Sequence, residues 1–396
     1  MRKICWRDFA NVGSFLNRLE LCPESACSKD AAVAYGRESN SESSVASRSS
    51  VSPKLWIVNP VVDMLFVCGG MLWLLVNFAA FNPVLFAGKT APLFMILTQL
   101  GAIFFLDAHN AATILRICNE KELRDKHKVL WLWAPLLLFC LFGLSLWQQT
   151  VFLLCLKIYI SLVPQHLTAQ SYGICLMYFA RANAAPTPKE TVALKVAFSL
   201  MALTSIIRNF SSKAVSELMG VAVPSLVLVP DSLGWYLAGL AWVFSLFAFM
   251  MILKRILHEG RSVPFGAIML ALSTLILLTL GPSIGFAVVF SSAFLHASQY
   301  LIVSAFVHLK KTECSEFRSS LFSHPIFKSA IYWGQATVIG VLLYLVLPTF
   351  LGHFGIPIAK AAVAVLCFAS LHHFLADSII WRMKDPKTRA VLTAGE

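Results

Sequence analysis

Apolar stretches of about 17–28 residues recur along the chain between short polar clusters, and each is long enough to cross roughly 30 Å of hydrocarbon as an α-helix. The pattern predicts ten spans, at approximately 60–81, 91–115, 130–149, 151–180, 191–207, 234–253, 264–281, 283–307, 330–350 and 358–381. Nothing alternates apolar and polar over the roughly ten residues of a membrane strand, so a β-barrel is not indicated. One more apolar stretch, 218–229, is short and broken by Pro224, which suits a re-entrant or interfacial segment. The fold class is all-α, a polytopic transmembrane helical bundle.

The cations orient these spans. The tail before the first span carries Arg37, Arg48 and Lys54, and the loop after the second carries Arg116, Lys121, Arg124, Lys126 and Lys128. Later even-numbered spans are followed by Arg181 and Lys189, by Lys254, Arg255 and Arg261, by Lys310, Lys311 and Arg318, and by Arg382, Lys384, Lys387 and Arg389. The opposite connections are nearly bare, with Lys89, Gln148-Gln149-Thr150, Gly281-Pro282 and Gly352-His353-Phe354; Arg208 and Lys213 are the exception. Positive charge is retained in the cytoplasm, so the chain reads as five out-and-back hairpins of an integral, multi-pass membrane protein with both termini cytoplasmic. Residues 1–55, with Ser dense from Ser39 to Ser52, form a mobile cytoplasmic tail; 56–382 are the transmembrane domain and 383–396 a short cytoplasmic tail. The patch Cys5-Trp6-Arg7-Asp8-Phe9 reads as a disordered end in preference to a short surface helix, and the first long apolar run lies too deep for a cleavable leader.

Composition sharpens this reading. Only 13% of the 396 residues are charged, against roughly 25% in soluble domains, and 58% are hydrophobic. The net charge of +12 follows from cations flanking the spans, not from a groove-reading basic patch, so no nucleic-acid partner is expected. Ten cysteines without a CxxC pair read as small core residues.

The informative residues are the polar ones inside the spans, because an ionisable group in hydrocarbon costs about 2.5–3.5 kcal/mol and needs a partner or a task. Spans two, four, eight and ten carry Asp107 with His109, Gln165 with His166, His296 with Gln299, and His372-His373 with Asp377, whereas the odd-numbered spans carry no His. Counted from the next cytoplasmic cation at 1.5 Å per residue, these four histidine positions lie roughly 10–22 Å deep, in one layer where four helices can converge. Residues four apart share a helix face, which pairs His373 with Asp377, His166 with Gln170, His296 with Tyr300 and His109 with Thr113. Imidazole with carboxylate and no thiolate cluster points to iron, with zinc as the alternative. The competing assignment for each histidine is a hydrogen-bonded helix-packing group. His127 and His258 lie in basic loops, His308 and His324 flank the loop after the eighth span, His353 lies in an outer turn, and Asp63 reads as a helix-end charge.

No Walker loop, dinucleotide GxGxxG, GxSxG elbow or CxxCH is present, so ATP-driven transport, flavin chemistry, serine hydrolysis and c-type haem lose support. The set His109, His166, His296 and His373 with Asp377 resembles, in outline, the bacterial Brp/Blh-type β-carotene 15,15'-dioxygenases, and more loosely the histidine-rich membrane desaturases and hydroxylases. The clustered HxxxH and HxxHH boxes of the latter are missing. The resemblance implies non-haem iron and O₂ acting on a lipophilic substrate.

The sequence therefore leads to a membrane-embedded non-haem iron oxidoreductase or oxygenase whose isoprenoid or acyl lipid substrate arrives from the bilayer. The expected metal set is His109, His166, His296, His372, His373, Asp107 and Asp377; Gln165, Gln170, Gln299 and Tyr300 are expected to orient ligands or an intermediate. Besides the substrate, membrane lipids are the expected partners, and the electron donor is not named by any motif. Two rival readings stand beside this one, a transporter or permease with a His/Asp proton relay and a b-type haem electron-transfer protein.

Overall fold

The computed structural model describes residues 55–74, 99–211, 217–223, 229–281, 286–313 and 325–381. The expectations for both tails, for the Cys5–Phe9 patch and for loop cations such as Lys89 and Arg318 lie outside the described residues. In chain order the elements are α1 (Pro60–Val62), α2 (Ala108–Asn119), α3 (Lys121–Lys126), α4 (Ala134–Trp147), α5 (Gln149–Arg181), α6 (Pro188–Ser211), α7 (Asp231–His258), α8 (Phe265–Thr279), α9 (Phe286–Glu313), α10 (Pro325–Val341), α11 (Leu347–Gly352) and α12 (Ile358–Ile380). Four π-helical turns, Asp63–Val67, Ala102–Asp107, Val129–Trp133 and Leu342–Val346, join or extend them. The chain is helical as expected, apart from a hairpin of two-residue strands, β1 (Glu217–Leu218) and β2 (Val221–Ala222).

Seven helices among the described residues are long and apolar enough to cross a membrane: Gln99–Asn119, Val129–Trp147, Gln149–Arg181, Pro188–Phe210, Asp231–His258, Ile326–Gly352 and Ile358–Ile380. The expected span 264–281 is a shorter 15-residue helix, α8, and the expected 283–307 overlaps the 28-residue α9 from residue 286 onward, the first three residues of that span lying outside the described residues. The expected span 60–81 is not one continuous helix where it is described. It breaks at Cys68-Gly69, with Gly69 at φ +92°, a region that suits glycine, and helix resumes at Gly70. Backbone carbonyls freed by such a break need donors inside a membrane protein. Ser298 donates to the Phe66 carbonyl at 2.7 Å, Gln299 to Val67 at 3.0 Å and Ser273 to Cys68 at 2.8 Å.

Local sequence explains the helix ends. Thr187 and Glu190 form a capping box at the start of α6, the Thr187 amide donating to Glu190 at 2.8 Å, with proline at the first helical position. Glu190 also receives Arg255 at 2.9 Å, tying α6 to the end of α7. Asp63 is a helix-end charge, as expected: it is fully buried and accepts from the Ile57 and Val58 amides at 2.6 and 3.1 Å and from the Tyr178 hydroxyl at 2.9 Å. Arg208, the exception to the charge pattern, donates to the Thr279 carbonyl at the C-terminal end of α8 and stacks over Trp235. A guanidinium there meets unpaired carbonyls and the negative end of the helix dipole.

The apolar segment from residue 218 turns back at Met219-Gly220, both with positive φ, as a two-residue hairpin turn requires. Leu218, Val221 and Val223 pack against a cluster containing Phe152, Val363, Cys367 and Phe368; residues 224–228 lie outside the description. Of the described cysteines, Cys68, Cys155, Cys175 and Cys367 are buried and serve as small core residues, and all six are free. The largest core joins α5, α6, α7 and α8, whereas α9, α10 and α12 pack around α2. Between these two groups α2, α9, α5 and α12 touch in a closed ring. Ala108, Ala111, Ala112, Ala297 and Ala376 are wholly buried in it, small residues that let helix backbones approach.

Candidate metal centre

Each helix of the ring contributes one imidazole. His109 comes from α2, His166 from α5, His296 from α9 and His373 from α12, with neighbouring ring centroids 4.8–5.1 Å apart and planes 75–88° from each other. The rings thus meet edge to face, and His373 adjoins both His109 and His166. The facing atoms are close: His166 Nε2 and His373 Nε2 are 3.1 Å apart, and Asp377 Oδ2 stands 3.7 Å from the first and 3.5 Å from the second. Two sets of potential ligand atoms, from His109, His296 and His373 and from His166, His373 and Asp377, each fall within 4.8 Å. Two nitrogens bound to one ion at about 2.0–2.1 Å stand about 3–3.4 Å apart, so the His166–His373 separation fits a shared ion.

The surroundings fix ring orientation. The Leu106 carbonyl, in the π-helical turn before α2, accepts from His109 Nδ1, which must therefore carry its proton there and keep the Nε2 lone pair free. His373 Nδ1 lies 2.7 Å from Thr113 Oγ1; this hydroxyl is 2.6 Å from Tyr300 Oη and donates to Asp377 Oδ1 at 3.4 Å. Gln170 donates to the His296 carbonyl at 2.9 Å and to Gln299 Oε1 at 3.1 Å, and Gln299 holds the broken first helix through Val67. Pro164 interrupts the ladder of α5 just before His166, and Thr168 donates to the Pro164 and Gln165 carbonyls.

His296 differs from the other three. It is 5% exposed, and neither ring nitrogen has a hydrogen-bond partner. Buried polar atoms are nearly always paired, so two unpaired nitrogens on one ring ask for a ligand. A void of about 10 Å³ bounded by Ser171, Thr274, Gln299 and His296 is at the lower limit for one water, which can serve only one side of the ring.

Beside the cluster, a cavity of about 250 Å³ lies between α5, α9 and α12. His166, Gln170, Tyr300 and Asp377 form its polar end, and Gly173, Ile174, Met177, Val303 and Phe374 supply apolar walls. Phe374 stacks on His166 at 4.3 Å between centroids.

The expected site residues divide accordingly. His109, His166, His296, His373 and Asp377 converge, with Gln170, Gln299 and Tyr300 around them. His372, adjacent in sequence, faces another way and donates Nε2–H to the Leu130 carbonyl at 3.1 Å, because neighbouring helical residues project about 100° apart. Asp107 is absent from both ligand sets; its backbone lies against Gly340 of α10, where a Cβ would come within 2.8 Å. Gln165 is exposed on the outer face of α5. Sequence reasoning paired Thr113 with His109, one turn back, but the structure pairs it with His373 on another helix. It missed Asn110, which donates to Tyr344 Oη at 2.6 Å and Ser370 Oγ at 3.3 Å beside the cluster, although its neighbour His109 was a signal. Arg116 over the Trp381 ring at 3.8 Å was also missed.

No protein-family model matches this chain, no curated protein matches its sequence, and no solved structure matches its fold.

Proposed function

We propose that the imidazole ring of α2, α5, α9 and α12 binds a non-haem iron ion and that the protein is a membrane-embedded oxidoreductase, an oxygenase acting on an isoprenoid or acyl lipid. The observation that carries this reading is His296, buried among three other imidazoles with both ring nitrogens unpaired. His109, His166, His296 and His373 would hold the metal, and Asp377 would be a fifth ligand or an acceptor behind the histidines. Nitrogen and carboxylate donors without a thiolate favour iron over copper(I). When bound, iron supplies activation of O₂ in a site whose apolar surroundings keep water out. The residues around it have definable work. Thr113 holds His373 by Nδ1, Leu106 holds His109, and Gln170 anchors α9 at the His296 carbonyl. By the distribution of cations, both termini are cytoplasmic in this proposal.

The contacts Tyr300–Thr113–His373–His166 also form a continuous chain, which favours a proton relay as the second reading. Haem is disfavoured by the same geometry, since imidazole nitrogens 3.1 Å apart leave no room for a macrocycle between them.

Metal analysis of the purified protein, with a visible spectrum, separates these readings. Stoichiometric iron without a Soret band is expected. His296→Ala should reduce bound iron to background, while His127→Ala and His258→Ala should retain it. Wild-type protein purified under iron-replete conditions with no bound metal would replace the oxygenase reading with the relay.

A further inference from the structure

The cavity beside the imidazoles has a direction. Its walls follow α5 from His166 through Gln170 and Gly173 to Met177, eleven residues or about 16 Å along the helix axis. The polar groups are concentrated at the histidine end, and the walls become apolar away from it. Ala169 of α5 and Ser378 of α12 border the cavity and are both exposed, so it opens sideways between these two helices. In a bundle that crosses a bilayer, that side faces lipid.

Gly173 lies midway along this path. A Cβ built there meets no atom within 4 Å, so no close approach of another backbone demands glycine. By contrast, Gly266 and Gly340 sit where a Cβ would press to 2.8 Å on Tyr178 and Asp107. Glycine within a helix costs roughly 0.5–1 kcal/mol relative to alanine. Here its effect is to leave the cavity unobstructed.

We propose that this cavity binds a segment of an extended hydrocarbon chain that enters from the bilayer between α5 and α12, and that Gly173 sets how large a chain it admits. This rests on the reading of the imidazole cluster as the reactive centre. A volume of about 250 Å³ is far above the roughly 10–15 Å³ that admits one water, so the cavity takes several carbons of a chain. The remainder of the chain stays in the membrane through the open side. The segment inside lies against His166, Asp377 and Tyr300, which places an internal or terminal stretch of the chain at the centre. Acyl and isoprenoid chains share this chemistry.

The full-length protein in lipid nanodiscs tests the proposal with two photoactivatable probes, a diazirine-bearing fatty acid and a diazirine-bearing geranylgeranyl chain. Adducts are mapped by mass spectrometry, and bound iron is measured on the same samples. With at least one probe, adducts should concentrate in 166–177 and 374–381, and the probe that labels identifies the chain type. Gly173→Phe should reduce this labelling at least fivefold with iron retained. Gly239→Leu, at a helix position equally free of neighbours but far from the cavity, should leave it unchanged. If Gly173→Phe does not fold, Ser378→Phe blocks from the opposite wall and is judged by the same readout. Labelling spread evenly over lipid-facing helices, or undiminished in the blocked variant, overturns the proposal. Absence of iron from wild-type protein with localised labelling intact would overturn the metal reading alone.

Discussion

Thr113→Val removes a single hydroxyl from the middle of the candidate site with almost no change in shape. Thr113 is wholly buried, and its Oγ1 meets Tyr300 Oη at 2.6 Å, His373 Nδ1 at 2.7 Å and Asp377 Oδ1 at 3.4 Å. For His373 to offer Nε2 to a metal, Nδ1 must carry the proton, and Thr113 is the acceptor that holds it there. Valine leaves that N–H and the Tyr300 hydroxyl without this partner in a dry interior, at about 1–3 kcal/mol for each group left unsatisfied. Part of this cost falls on the fold and part on metal binding. Loss of such a supporting contact typically weakens a metal site 10–100-fold, or about 1.4–2.8 kcal/mol. Titration of the iron-loaded protein with a chelator series should therefore show weakening in that range for Thr113→Val, with most of it recovered in Thr113→Ser. Thermal unfolding of the metal-free proteins separates the two contributions. Wild-type iron affinity in the valine variant, or equal loss in the serine variant, would refute the reasoning.

Three further outcomes are expected. His372→Ala and Asp107→Asn should keep wild-type iron content, because neither residue joins the converging ligand atoms, whereas Asp377→Asn should weaken iron 10–100-fold without abolishing it; elemental analysis after chelator dialysis distinguishes these results. Gly69→Ala should lower thermal stability by about 1–3 kcal/mol, since φ of +92° is strained for alanine and its Cβ would come 2.9 Å from Ser273 Oγ; a neutral effect would mean that the helix break is not held as described. Reporter fusions at either terminus should read cytoplasmic, and an external C-terminus would invalidate the depths counted from the cationic loops.

The sequence by itself determined the helical class, because a low density of charge and long apolar runs leave few other ways to satisfy the backbone in hydrocarbon. It also isolated the four histidines, since a polar residue in an apolar run stands out whatever the fold, and repeated distances to a cation placed them at one depth. Depth along a helix axis is legible in a sequence; azimuth between helices is not. Only the tertiary structure decided that His373 and not His372 faces the centre, that Asp107 turns toward α10, and that Thr113 serves a histidine on another helix. The i,i+4 rule reports which residues share a face, but the rotation of each helix follows from packing of residues such as Ala108, Ala111 and Ala376. The break at Cys68-Gly69 was similarly hidden. The break persists because Ser273, Ser298 and Gln299, more than two hundred residues downstream, supply the hydrogen bonds that the helix gives up.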